Sequence, residues 1–152
     1  MNAVPKGTQA NRRRRTMLNA EDRWAIGEIL SLHGHLVDEG HLDRLEEIFT
    51  PEIVYDMSAV GIGTFEGIET VRSAAEQMGG RGPLAHHVTN VLISSDDDDV
   101  VTARSKGLML MAGGALESVT YLDTLRRHNG EWRISRRIIA PIVKPAAAAE
   151  VV

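Results

Sequence analysis

The chain has 152 residues, of which 43% are hydrophobic and 25% charged, and its formal net charge at pH 7 is −4. This balance predicts one ordinary globular domain with a sizeable core, and the mild negative charge gives no general attraction to nucleic acid or membrane surfaces. Cysteine is absent, which excludes disulfides, thiolate metal sites and a cysteine nucleophile. No apolar run approaches the roughly 18 residues that span a bilayer, and the N-terminus lacks a secretory pattern, so we expect a cytoplasmic protein.

The two ends of the chain differ in composition from the rest. Residues 1–16 are polar and include four consecutive arginines, Arg12 to Arg15. An arginine run can bind phosphate groups, but a solvated tail is the commoner role, and we interpret this segment as a disordered arm. Residues 145–152 contain only Pro, Ala, Glu and Val and are interpreted as a second tail. The folded domain is therefore expected over residues 17–144.

Helical signals dominate the first half of the domain. Asn19 is a typical N-cap, with acidic residues in the turn that follows. Apolar residues then recur at helical spacing as far as Val37, and His33 lies on that apolar face. Gly40 is suited to end this helix. The pattern predicts further elements: a short helix at 42–49 stopped by Thr50-Pro51, two short strands at 53–55 and 63–65, and a helix at 67–78.

The second half of the domain is predicted to consist of strands. Alternating apolar residues predict strands at 86–94, 100–112, 116–127 and 132–140, with a four-aspartate turn at 96–99. Asn129-Gly130 is a strong hairpin signal. Helices followed by long antiparallel strands indicate an α+β domain. Such a sheet can curl around the helices into a cone-like half-barrel that encloses a pocket, and its broad outer face predicts a homo-oligomer.

An aspartate and two histidines are the best candidates for chemistry. Asp38 ends the first predicted helix, and His86 and His87 open a predicted strand. A carboxylate that reaches an imidazole makes a general base, because it fixes the tautomer and stabilises the imidazolium. Strand alternation places His86 and Asn90 on one face and His87 on the other. Both faces mix polar and apolar groups, so alternation leaves both histidines open.

Several motifs resemble those of a known superfamily, over roughly residues 18–143. The chain is similar to the SnoaL-like branch of the nuclear transport factor 2-like proteins. The resemblance implies a cone of curved, mostly antiparallel sheet wrapped around N-terminal helices. The motifs that carry it are LVD at 36–38, LEEIFTPE at 45–52, GIGTFEG at 61–67, HxxxN from His86 to Asn90, and WRIS at 132–135.

The motif spacing is most similar to that of lindane dehydrochlorinase and scytalone dehydratase. The resemblance implies that Asp38 pairs with His86 rather than with His87, because the spacing to Asn90 matches only His86. It also implies a site arginine at Arg137. His33 stands where the dehydrochlorinase pattern has a lysine, and this departure weakens any inference of the same substrate.

The resemblance and the residues together predict a cofactor-independent lyase of the dehydratase or dehydrohalogenase type. His86 would remove a proton from a small apolar cyclic or polyketide-like substrate while Asp38 holds its ring. Arg137 and His33 would bind the departing hydroxide, water or halide, or an enolate oxygen. An isomerase or polyketide cyclase with the same residues remains an alternative, and so does a non-catalytic ligand-binding or accessory protein.

The remaining expectations concern the pocket and its partners. We expect no metal, because no histidine pair has the i, i+4 spacing of a helical metal site, and no cofactor. We expect a small-molecule substrate, neither nucleic acid nor membrane as a partner, and a homodimer or homotrimer. Methionines suit an adaptable apolar wall. The predicted substrate-binding or wall residues are Trp24, Tyr55, Asn90, Leu108, Met109, Met111, Val119, Tyr121 and Ile139.

Overall fold

The computed structural model describes residues 18–95 and 100–143. The predicted arm, the predicted tail and the four-aspartate turn lie outside the described residues. Neither described α-helix is long and apolar enough to span a membrane. The elements are α1 (Ala20–Asp38), a 3-10 helix (Leu42–Glu47), β1 (Phe49–Asp56), a 3-10 turn (Ser58–Val60), β2 (Thr64–Glu66), α2 (Ile68–Met78), a 3-10 turn (Gly79–Arg81), β3 (Ala85–Ser95), β4 (Val100–Leu110), β5 (Leu116–His128) and β6 (Glu131–Pro141).

The six strands form one sheet in the order β2-β1-β6-β5-β4-β3. The β1–β6 pair is parallel and all other neighbours are antiparallel. The inner face of the sheet packs on α1, which contacts both β3 and β6. The predicted α+β class, with a curved and mostly antiparallel sheet around N-terminal helices, is confirmed. The main core joins helix and sheet and includes Ile26, Leu30, Leu36, Val101, Leu125, Trp132 and Ile134.

Local signals set the ends of several elements as predicted. Asn19 accepts a hydrogen bond from the backbone N–H of Asp22 at 2.7 Å and caps α1. Gly40 follows that helix with a φ of 76°, which glycine adopts without a Cβ clash. Asn129 and Gly130 have φ values of 51° and 84° between β5 and β6. Two consecutive positive φ angles are typical of a type I′ turn, so the hairpin prediction is confirmed.

Two predictions about local structure were wrong. The helix expected at 42–49 is a 3-10 helix that ends at Glu47, and Pro51 does not act as its stop but lies inside β1. Proline has no N–H for a ladder, and the pairing of β1 with β6 is irregular between Phe49 and Val54. The simple alternation expected along β3 also fails, because a bulge lies between Thr89 and Leu92.

Candidate functional site

The candidate site lies where the end of α1 packs against the start of β3. A Cβ added to Gly34 would lie 2.7 Å from the carbonyl oxygen of His86, closer than real Cβ contacts allow. The helix and the strand can approach this closely because residue 34 has no side chain. Asp38 follows Gly34 by four residues, which places it on the same side of the helix. This close contact therefore brings the carboxylate of Asp38 to His86.

Asp38 contacts His86 through both of its oxygens. Its Oδ2 accepts a hydrogen bond from the backbone N–H of His86 at 2.8 Å, and its Oδ1 lies 2.5 Å from Nδ1 of the ring. The side chains of His86 and Asp38 are 10% and 19% exposed. A carboxylate can only accept, so the contact assigns the proton to Nδ1 and leaves a lone pair on Nε2. His87 is exposed on the opposite face of β3.

His33 lies beneath this pair on the buried face of α1. Its ring centroid is 5.7 Å from that of His86, and its Nε2 is 3.3 Å from the hydroxyl of Tyr55. Its Nδ1 is buried and has no hydrogen-bond partner among the described residues. Burial, with Arg137 and His86 nearby, lowers the pKa of His33 well below its ordinary value. Burial likewise raises the pKa of Tyr55. His33 is therefore neutral and Tyr55 protonated at neutral pH.

Arg137 and Asp123 form a fully buried ion pair, with both side chains 0% exposed. Nε of Arg137 donates to Oδ1 of Asp123 at 2.7 Å and Nη2 donates to Oδ2 at 3.0 Å. Burial alone would lower the pKa of Arg137, but the carboxylate of Asp123 outweighs burial and raises it. Nη1 of the same guanidinium has no partner among the described residues.

Asp123 was not predicted from the sequence as the partner of Arg137. One signal for it was present in the sequence. Asp123 stands between Tyr121 and Leu125 at alternate positions of β5, and all three are buried. An aspartate in an otherwise apolar inward row must find a cation or a donor.

A second apolar cluster forms the wall beside these polar groups. Tyr121 is at its centre, with Arg137 4.5 Å from its ring. A Cβ on Gly107 would lie 2.6 Å from that ring, so the glycine of β4 supplies the space that Tyr121 occupies. Most of the predicted wall residues meet here. The cluster comprises Val119, Tyr121 and Ile139, with Tyr55, Met57, Val60, Val88 and Met109 packed against it.

Four predicted pocket residues are not brought into this cluster. Trp24 is 72% exposed on the outer face of α1, opposite the buried row of that helix. Leu108 is 38% exposed, because Gly107 faces inward and the next residue of β4 must face outward. Asn90 is exposed at the β3 bulge with a φ of 54°, and Met111 lies in the turn beyond β4.

The packing role of Gly34 predicts opposite effects at two glycines of one helix. Alanine favours a helix over glycine by about 1 kcal/mol. At Gly27 an added Cβ meets nothing within 4 Å, so Gly27→Ala should raise the free energy of unfolding by up to about that amount. Gly34→Ala should lower it by about 1–3 kcal/mol through overpacking against His86. Urea unfolding measures both, and equal stabilisation by both variants would refute the close approach.

The lowered pKa of His33 predicts a pH-dependent stability. The unfolded chain binds a proton at this ring near the ordinary pKa of 6.5, but the folded chain does so only at lower pH. The stability is therefore complete above about pH 6.5 and is lost as the pH falls below it, with a slope of at most about 1.4 kcal/mol per pH unit for one proton. His33→Gln should flatten the slope measured by urea unfolding between pH 7.5 and 5.5 (about one unit either side of 6.5). The exposed His35→Gln should keep it.

The model of one known protein family matches most of the chain. The family model of the SnoaL-like domain matches residues 19–138. An uncharacterised protein of Mycobacterium tuberculosis is 29% identical over 136 residues, which cover 82% of this chain and 90% of that protein.

Two solved structures share the fold. The crystal structure of LinA has a TM-score of 0.70 at 24% identity, covering 84% of this chain and 94% of LinA. A putative scytalone dehydratase from Novosphingobium aromaticivorans has a TM-score of 0.69 at 20% identity, covering 83% and 96%. The chain thus belongs to the SnoaL-like domain family, within the nuclear transport factor 2-like superfamily.

Proposed function

We propose that the protein is a cofactor-independent lyase of the dehydratase or dehydrohalogenase type, with His86 as general base on a small apolar cyclic or polyketide-like substrate. The observation that carries the proposal is the 2.5 Å contact between Nδ1 of His86 and Oδ1 of Asp38. This contact occupies Nδ1 and leaves Nε2 able to accept a proton. The similarity in fold to LinA, lindane dehydrochlorinase, and to a putative scytalone dehydratase supports the class of reaction.

In the proposed reaction His86 Nε2 takes a proton from a substrate carbon. The electrons of that C–H bond form the new double bond, and the bond to the leaving group breaks. Asp38 stabilises the imidazolium, and it does so at the C-terminal end of α1, where the helix dipole also favours positive charge. Arg137 and His33, with Tyr55, would stabilise the charge that develops on the departing group or on a conjugated oxygen, in a site largely shielded from water.

The same base also supports an isomerase or a polyketide cyclase, because these reactions begin with the same proton removal. The competing non-catalytic role is a ligand-binding or accessory protein. One observation favours it: His33, Tyr121 and Arg137 are 3%, 1% and 0% exposed, so a ligand must displace or open part of the wall to reach them.

Proton exchange separates these roles. The purified protein would be incubated in D₂O, without metal or nucleotide, with cyclic ketones, hydroxy ketones and chlorinated analogues, and NMR would follow deuterium at the acidic carbon. Exchange that requires His86 supports proton removal, and loss of hydroxyl or halide then assigns the lyase. Exchange without elimination, with a moved double bond or a closed ring, would assign the isomerase or cyclase. No exchange with any substrate would favour the accessory role.

Exposed leucines on the outer face of the sheet support the proposal that the protein forms a homo-oligomer. Leu92 and Leu122 lie on either side of Arg104 and are 68% and 38% exposed, and Leu108 and Leu110 lie further along β4 and are 38% and 36% exposed. Exposed apolar side chains grouped on one sheet face are typical of interfaces. We expect a dimer or trimer by light scattering at micromolar concentration. Leu122→Lys should dissociate it, whereas Ile62→Lys, in the β1–β2 connection and 48% exposed, should not. A monomeric wild-type protein would contradict this expectation.

A further inference from the structure

The ionisable side chains of the site do not give it a net positive charge. The positive charge of Arg137 is neutralised by the carboxylate of Asp123, and each side chain is 0% exposed. Burial lowers the pKa of His33, which leaves that ring uncharged. Asp38 adds a second carboxylate beside His86. The site therefore contains two carboxylates, Asp123 and Asp38, and one guanidinium, so its fixed charges do not favour a further anion.

The same region nevertheless holds a buried hydrogen-bond donor that no described residue satisfies. Nη1 of Arg137 is buried and has no partner among the described residues. It points away from Asp123, because that carboxylate occupies the Nε and Nη2 edge of the planar guanidinium. The hydroxyl of Tyr55 lies beside this guanidinium and 3.3 Å from Nε2 of His33. A buried donor with no partner costs free energy, so this corner suits an acceptor oxygen supplied by a ligand.

We propose that the corner formed by Arg137 Nη1, Tyr55 and His33 binds an uncharged carbonyl or hydroxyl oxygen of the substrate and discriminates against halide and carboxylate. The inference rests on the proposed function, because it assigns the substrate class of the same site. Arg137 acts here as a neutralised donor rather than as a free cation. An anion would add an unbalanced negative charge to a buried region where Asp123 already neutralises Arg137, whereas a neutral oxygen needs only the hydrogen bond.

This charge balance also distinguishes the two kinds of elimination. A hydroxyl group can accept the proton that His86 removed from carbon and leave as neutral water, which returns His86 to its neutral form and places no new anion in the site. A halide leaves as an anion and would remain beside Asp123 and Asp38 until it escapes. The site is therefore suited to loss of water from a hydroxy ketone, and not to loss of chloride.

A matched pair of probes tests the inference on the wild-type protein. Acetophenone and benzoate have similar shapes, but the first presents a neutral carbonyl and the second a carboxylate. NMR titration should give at least about tenfold tighter binding of acetophenone, which corresponds to about 1.4 kcal/mol. Bromide at the same concentrations should leave the resonances of this site unchanged. Tighter or equal binding of benzoate, binding of bromide in the site, or no binding of acetophenone would overturn the inference.

Asp123→Asn tests the cause, because it removes the compensating charge with little change of shape. Benzoate should then bind at least about tenfold more tightly than it does to the wild type. Asp56→Asn is the matched control, since it removes the same charge from the surface pair with Arg136, where the closest N–O distance is 3.7 Å. Unchanged benzoate affinity in a folded Asp123→Asn would overturn the role of Asp123. If that variant does not fold, the wild-type comparison still decides the substrate class.

His86→Ala distinguishes this inference from the proposed function. The donors in the corner do not include His86, so the variant should keep the preference for acetophenone. A wild-type protein that shows this preference but catalyses no proton exchange would refute the proposed lyase and leave the binding inference intact. A wild-type protein that exchanges protons but prefers benzoate would refute the binding inference and leave the proposed lyase intact.

Discussion

His86→Ala and Asp38→Asn are each expected to reduce turnover by about 10²–10⁴-fold while the protein remains folded. Alanine removes the proposed base. Asparagine keeps the size of Asp38 but can donate to Nδ1 of His86 through its amide, which favours the tautomer with the proton on Nε2. The double variant should be little worse than either single variant, because the two residues act as a unit. Steady-state rates and the D₂O exchange rate measure the effect.

Two neighbouring residues provide controls for this prediction. His87→Ala alters the adjacent histidine, whose side chain is exposed on the other face of β3. Glu39→Gln alters the carboxylate next to Asp38, which is exposed near His35 and His41. Both variants should keep nearly full activity. Full activity in His86→Ala, or losses in the double variant that multiply those of the single variants, would refute the mechanism.

Arg137→Met should lower the free energy of unfolding by about 3–5 kcal/mol, because it leaves the carboxylate of Asp123 buried without a partner. The double variant Arg137→Met/Asp123→Leu removes both charges and should recover much of that loss. Urea unfolding at neutral pH measures these values, and the coupling between the two positions follows from the double-mutant cycle.

The adjacent arginine is the control for Arg137. Arg136→Met changes a side chain that is 48% exposed and lies 3.7 Å from Asp56, and it should change stability by less than about 1 kcal/mol. A loss at Arg137 no larger than the loss at Arg136 would mean that the ion pair is not buried in solution. A double variant as unstable as Arg137→Met would mean that the arginine acts through packing rather than through charge.

Much of the fold was predictable because its signals are local. The cap at Asn19 and the turn at Asn129-Gly130 depend on side chains and backbone angles within four residues. Pro51 and Asn90 were misjudged for the opposite reason. Pro51 is accommodated in a strand by an irregular pairing with β6, and Asn90 is turned outward by a bulge against β4. Both outcomes depend on a partner strand that is distant in the sequence.

In the candidate site, too, some features were predictable from the sequence and others depend on tertiary contacts. The sequence by itself determined that Asp38 ends a helix, that two histidines open a strand, and that Arg137 lies on the last strand, because periodicity and motif spacing are properties of the chain. Strand alternation left His86 and His87 both open and the resemblance implied His86, but only the tertiary structure gives the contact between His86 and Asp38. That contact depends on Gly34, whose missing side chain lets α1 contact the backbone of β3.

The pairing of Arg137 with Asp123 was likewise decided by the tertiary structure. The two residues are direct partners in the antiparallel register of β5 and β6, and that register brings both side chains to the buried face. Sequence reasoning could state that a buried arginine needs an acidic partner, because an unpaired buried charge is costly. It could not choose the partner, because a shift of one residue in the register would have turned Asp123 to the opposite face.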